Sequence, residues 1–288
     1  MGTIYKKELK QLFTGMIGPV FIAFILVFSG IYLTVLNLNN YYPNSEQSLA
    51  NVSLIFLMAV PILSMRSMAE ETRSKTDQML FTAPISMGEI VLGKFFAMIT
   101  VFGVAVGVMG LYPLVLSLYG TVDFGSAYAG LLAFFCLGSM LISIGLFIST
   151  LTESPIIAAV ATLGVLLVVY FITGIVSLMS DSTIAALAIT TVVVALIGAL
   201  VRAMTGNTAV AVIAACCLEA AVIVVYAVNS AMLVSAVSTG LMAFAAFNRL
   251  DNFTYYSIFD LTALVYYISI AALFCFLASQ SLEKRRWN

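Results

Sequence analysis

Long apolar runs separated by short polar segments organise this chain. A helix that crosses a bilayer needs about 20 predominantly apolar residues. Eight stretches approach or meet that length: Gly18 to Leu36, Leu49 to Met68, Phe95 to Tyr119, Tyr128 to Leu151, Ile156 to Met179, Ile184 to Val201, Thr208 to Val228 and Leu261 to Ser279. The second is the weakest, because it contains Pro61 and has Arg66 near its end. Arg66 can still extend its charged head to water while its stem stays in the apolar layer. Ahead of the first run, Thr3 to Phe13 reads as a helix with Tyr5, Leu9, Leu12 and Phe13 on one side and Lys6, Lys7 and Lys10 on the other. That pattern predicts a helix lying in the membrane interface with its lysines toward anionic headgroups. The expected fold is therefore all-α and polytopic. It has eight transmembrane helices, or six if Ile184 to Val201 and Thr208 to Val228 both fail to span.

One long polar segment interrupts the pattern, from Glu70 to Lys94. Its charges must lie where water can solvate them. Ala69 to Phe81 has helix-forming composition, and Thr82-Ala83-Pro84 breaks it, since Pro restricts the preceding residue and lacks an N–H. Ser86-Met87-Gly88-Glu89 is a capping-box pattern and predicts a second helix that runs from Ser86 into the next span. We read residues 69–94 as a helix-turn-helix loop on a single transmembrane domain covering 1–288. Residues 229–260 are apolar for a loop, with small and aromatic side chains. They fit either a packed outer loop or a re-entrant hairpin.

Composition sharpens the class. Apolar residues make up 62% of the chain and charged residues 9%, against about 25% charged in soluble domains. The net charge of -1 carries no basic bias toward nucleic acid, and there is no His. Cys136, Cys216, Cys217 and Cys275 lack zinc-type spacing and read as buried small hydrophobes. No catalytic, cofactor-binding or metal-binding residue is assigned. With a cytoplasmic N-terminus, every Lys and Arg except Arg249 falls in an inside segment, which puts both termini in the cytoplasm.

Several motifs invite a closer look. Gly88-Glu89-Ile90-Val91-Leu92-Gly93-Lys94 follows a phosphate loop as far as the Lys, but Phe95 stands where Ser or Thr would hold magnesium. The motif therefore does not read as a nucleotide site in this chain. Gly103, Gly107 and Gly110 share a helical face of the kind that lets helices approach closely in lipid. Glu219 lies mid-run in Thr208 to Val228, where a charge is expensive. It is expected to face the interior, to be neutral, or to mark a pathway. Arg249, Asp251 and Asp260 form an outer-face motif in which Arg249 could pair with the carboxylates.

The charged loop resembles the cytoplasmic loop of ABC-2 type transporter permeases of the gliding-motility kind. The matching residues are Met79-Leu80-Phe81-Thr82-Ala83-Pro84 and then Ile85-Ser86, Glu89-Ile90-Val91-Leu92-Gly93-Lys94. Phe247-Asn248-Arg249-Leu250-Asp251-Asn252-Phe253, Phe259-Asp260, Tyr266-Tyr267-Ile268-Ser269, Ser281 to Trp287 and Tyr5 to Lys10 also resemble that family, whereas about Ser180 to Ser235 matches only in being apolar. The resemblance implies the permease subunit of an ATP-driven exporter in a bacterial plasma membrane. It also implies a separate ABC ATPase that binds ATP and magnesium, a second permease chain and a possible extracytoplasmic auxiliary subunit. The ATPase-coupling residues would be Glu70, Glu71, Arg73 and Asp77 as a polar rim and Met79, Leu80 and Phe81 as an apolar anchor, with Pro84 fixing the turn. The competing class is an ion-coupled secondary transporter or channel, which would show paired intramembrane charges, broken helices or an internal repeat. Only Glu219 answers to that description. An intramembrane enzyme is weaker still, with no His and no paired carboxylates in a span.

Overall fold

A computed structural model of the chain describes residues 1–40, 44–75, 86–181, 186–192, 194–195, 212–213, 216–220, 222 and 230–287. Among the described residues there are helices and no strands. Two compact units emerge, residues 1–167 with 246–288 and residues 168–245.

The first unit opens with α1 (Gly2–Thr14) and α2 (Ile17–Tyr32). The latter continues as a π-helical stretch to Leu38, giving a 22-residue apolar span. Next come α3 (Glu46–Ser53) and α4 (Phe56–Ser64), and then the short α5 (Ala69–Arg73). The α3 and α4 segments are bent by 58° at the break between them, so this expected span is a broken one. Met87–Met109 forms α6, continued by α7 (Tyr112–Leu116). The long α8 (Phe124–Leu151) and α9 (Pro155–Asp181) follow, and the latter runs into the second unit. In that unit α10 (Ser230–Met242) presents Leu241 and Met242 to a small core of Ile172, Val176 and Ala245. The first unit closes with α11 (Ala246–Thr254) and α12 (Leu261–Trp287).

Among the described residues five helices are long and apolar enough to cross a membrane, or six if the bent pair counts as one span. These six correspond to six of the eight predicted runs. Ile184 to Val201 and Thr208 to Val228 lie largely outside the described residues. Residues 230–242 and 246–254 are helical, each too short for the roughly 20 residues of a span.

The helix α8 is the centre of the first unit. Of its apolar window 72% is buried, against 22 to 33% in the other four. Its neighbour α6 is antiparallel: Tyr128 Oη donates to Gly110 O at 3.3 Å, and Phe135 stacks on Phe102 with centroids 5.6 Å apart. By contrast α12 runs parallel to α8, with Tyr267 and Phe274 on α12 set against Cys136 and Phe147 on α8. At the hub, Phe21, Phe56, Phe102 and Phe134 come from four helices and pack edge-on or tilted. Gly138 makes this possible: a Cβ there would run into the Phe102 ring and touch Phe56. Seven residues on, Gly145 does the same for Ser64 of α4.

The glycine stripe predicted on α6 is not a close helix contact. A side chain on Gly107 would meet nothing, and one on Gly103 would make ordinary contact with Phe135. Two of the four cysteines, expected to be buried, diverge from expectation. Cys275 is buried and Cys136 half-buried, but Cys216 and Cys217 are exposed. In a bilayer protein an apolar run has an outward side too, so apolarity does not imply burial.

Two outcomes follow. Gly138→Val is expected to destabilise by about 1–3 kcal/mol through overpacking, read as a lower thermal midpoint in detergent, whereas Gly107→Val stays within about 0.5 kcal/mol of the parent. With the native cysteines removed, a cysteine at position 202 is expected to be labelled from the side that carries the termini. Labelling from the opposite side alone reduces the span count to six.

Candidate functional site

The charged loop is anchored by one buried amine. Lys94 lies two turns into α6, and its side chain is only 2% exposed. Its Nζ donates to Glu8 Oε1 of α1 at 3.1 Å and to the Ser67 carbonyl oxygen at 2.8 Å. It also lies 3.0 Å from Glu71 Oε1 of α5. Those carboxylates are themselves largely covered, at 11% and 15% exposure. Lys7 adds a second cation at 3.9 Å from Glu71 and 4.0 Å from Glu8. Two ammonium groups and two carboxylates thus balance, with Lys94 and both carboxylates largely out of water and Lys7, 61% exposed, at the edge. Charge-assisted bonds of this kind are the strong ones, and one partner without the others would be costly.

Local sequence explains how three segments converge there. Ser86 caps α6, its Oγ accepting from the Glu89 amide at 3.3 Å, which is one half of the predicted capping box. On α6, Gly93 leaves room for α1: a Cβ would come within 3.0 Å of Ile4 Cγ2. Tyr5 Oη and Thr100 Oγ1 add a 3.0 Å hydrogen bond between the same two helices. So the buried residues of α1 are Ile4 and Glu8, while Tyr5, Leu9 and Leu12 are half-buried and Phe13 is exposed. Lys7 joins the ion cluster, while Lys6 and Lys10 stay exposed.

The base of the loop is fixed from α8. The chain breaks at Met65 to Met68, and α5 has no capping side chain of its own. Ser149 Oγ supplies one, accepting from the amides of Met68 and Ala69, both at 3.1 Å, and donating to the Met65 carbonyl oxygen at 3.4 Å. This satisfies two of the amides that a helix start leaves unpaired. The helix predicted to run from Ala69 to Phe81 ends at Arg73. Lys75 follows in a left-handed conformation, φ 55, that a helix cannot continue through.

The predicted loop residues divide accordingly. Glu71 is turned into the cluster and is no rim residue. Glu70 is 54% exposed and sits 3.9 Å from Arg66 one turn earlier. Arg73 is exposed. Asp77, Met79, Leu80, Phe81 and Pro84 lie outside the described residues. Residues 88–94, which mimic a phosphate loop in sequence, are helical, and their lysine is engaged by two carboxylates.

The other predicted residues stand apart from this cluster. Glu219 is half-buried in a helical stretch of the second unit. On α11 and α12, Arg249 places its guanidinium carbon 4.2 Å over the Tyr266 ring, and neither Asp251 nor Asp260 forms an ion pair with it among the described residues. Asp260 caps α12 instead, accepting from the Thr262 and Ala263 amides at 2.9 and 3.3 Å and from Asn252 Nδ2 at 2.9 Å. The Asn252 hydrogen bond is the chief influence that holds the Asp260 carboxyl below its ordinary range. Burial pushes the Asp251 carboxyl up. Sequence reading passed over Glu8 and Ser149, and it treated Lys94 as a failed phosphate ligand. Lone polar residues in amphipathic or apolar stretches carry no signal of the partner they meet in space.

The model of one protein family, the ABC-2 family transporter protein, matches residues 3–191. No curated protein and no solved structure matches the chain.

The cluster predicts a specific stability pattern. Lys94→Met leaves two largely buried carboxylates with Lys7 alone and is expected to cost about 3–5 kcal/mol. Glu8→Gln alone costs less, about 1–3 kcal/mol, since Glu71 and the Ser67 carbonyl still hold the amine. Glu8→Gln combined with Glu71→Gln strands the lysine, so the pair costs more than its sum. Unfolding midpoints of the parent, Lys94→Met, each single Gln variant and the double Gln variant in mixed micelles check the order.

Proposed function

We propose that this chain, which belongs to the ABC-2 family of transporter proteins, is the membrane permease of an ATP-driven exporter in a bacterial plasma membrane. The family is that of ABC transporter permeases, and it implies an ABC ATPase partner. In our reading the ATPase binds ATP and magnesium, docks on residues 69–94 at the cytoplasmic face, and the complex contains a second permease chain. The sequence features of the gliding-motility kind favour a further extracytoplasmic subunit. Both termini lie in the cytoplasm, following the distribution of Lys and Arg.

The Lys94 cluster is the observation that carries the coupling role. It ties α5, where the loop begins, to α6, where it returns, and ties both to α1. Ser149 joins the same point to α8. A push on the loop therefore moves these helices together and cannot be absorbed in a slack linker. Met79, Leu80 and Phe81 form the apolar anchor for the ATPase, with Asp77, Glu70 and Arg73 at the rim.

Interface energy concentrates in a few anchors worth about 2 kcal/mol or more each, while exposed charges contribute about 1 kcal/mol or less. Leu80→Ala with Phe81→Ala is expected to weaken ATPase binding by more than about tenfold, and Glu70→Ala by no more than about fivefold. Pro84→Ala keeps the partner but lowers transport-linked ATP hydrolysis. Co-purification and hydrolysis in reconstituted membranes measure both. A double alanine variant that holds the ATPase as tightly as the parent removes the loop as the principal dock.

A further inference from the structure

An apolar groove of about 650 Å³ runs between α6, α8 and α12, on a different face of α6 from Lys94. Its walls extend from Gly88 to Ile99 on α6 and from Tyr267 to Ser279 on α12, with Phe135 and Ser139 of α8 between them. Because α6 and α12 are antiparallel, Gly88 and Ser279 share one end. At 1.5 Å per residue these walls are roughly 16 and 18 Å long. One leaflet of a hydrocarbon core is about 15 Å thick. The groove therefore starts at the membrane surface that carries the termini and ends near the midplane.

Its chemistry favours hydrocarbon. The hydroxyl donors along it are all spent on backbone carbonyls: Ser139 on Phe135 at 2.8 Å, Ser279 on Phe276 at 2.7 Å and Tyr267 on Ala246 at 2.9 Å. The exposed ring of Phe276 opens the groove toward the bilayer. At its surface end α12 continues five residues past Ser279 to Lys284, exposed and without an ion-pair partner among the described residues, followed in sequence by Arg285 and Arg286. These three cations outnumber the neighbouring Glu283 and Glu89. Clustered Lys and Arg beside a span attract anionic headgroups.

We propose that this groove holds an acyl chain of an anionic phospholipid from the leaflet on the termini side, its headgroup drawn by the run of cations in sequence that Lys284 opens. This lipid is a resident of the permease, not its cargo. The inference rests on the proposed function only for naming that leaflet cytoplasmic.

Trp287 is the single tryptophan, so a reporter can be moved. In a Trp287→Phe background, Phe276→Trp puts an indole on the groove wall. Val160→Trp places one at comparable depth on α9, at an exposed position outside the groove. The full chain is reconstituted in equal mixtures of phosphatidylglycerol and phosphatidylcholine with one or the other brominated in its chains. Brominated phosphatidylglycerol is expected to quench the indole at 276 at least twofold more than brominated phosphatidylcholine, and the two to quench that at 160 equally. Replacing Lys284, Arg285 and Arg286 with Gln is expected to abolish the preference at 276. Equal quenching at 276, or a preference that survives the triple Gln variant, overturns the proposal. So does protection of 276 from both lipids, which would mean that protein such as a second copy covers the groove. Ile99→Trp reports from the facing wall if the first variant does not fold. No ATPase is present, so neither result bears on the docking loop.

Discussion

An ammonium group removed from water must find negative charge, and at the base of the loop only one arrangement supplies it. Lys94 is 2% exposed and draws Glu8 of α1 and, from the stretch that forms α5, Glu71 and the Ser67 carbonyl to itself. The desolvation penalty for such a group is several kcal/mol. The segments are thus held in register by the cost of separating them as much as by the attraction between them. The position of α1 on α6, the direction of α5 and the return of the loop all follow from where this one amine sits.

Behind it stands α8. Gly138 admits the aromatic hub, Gly145 admits Ser64 of α4, and Ser149 holds the base of the loop. These positions are spaced along about 16 Å of one helix. The interior of the bilayer domain and its charged face are therefore parts of one packed body. Interiors at this density do not deform smoothly.

Much of the architecture was legible in the chain. Run length located the described spans, because a bilayer sets a threshold that sequence must meet. Ser86 and Glu89 marked the start of α6, since capping is a local interaction. What failed was everything decided by a distant partner. Ile4 and Glu8 face inward on α1 because Gly93 and Lys94 are there to receive them. Gly107 has the spacing of a packing glycine and no neighbour to pack on. Glu71 looked like one more solvated charge in an acidic stretch, yet 23 residues downstream lay the cation that takes it out of solvent. The helix through Phe81 was inferred from composition, which does not register that Lys75 adopts a left-handed turn.

The hold on the base of the loop is made largely on main-chain atoms. Ser149 binds the amides of Met68 and Ala69, and Lys94 binds the carbonyl of Ser67. A peptide group is the same whatever side chain it bears. The rigid end of the loop is thereby insulated from the chemistry of its surface. The exposed Arg66 and the half-buried Ser67 can change side chain with little effect on where α5 starts, whereas Met68 and Ala69 are buried and are held by packing as well. The hold on this segment is thus largely independent of the charge it shows to water.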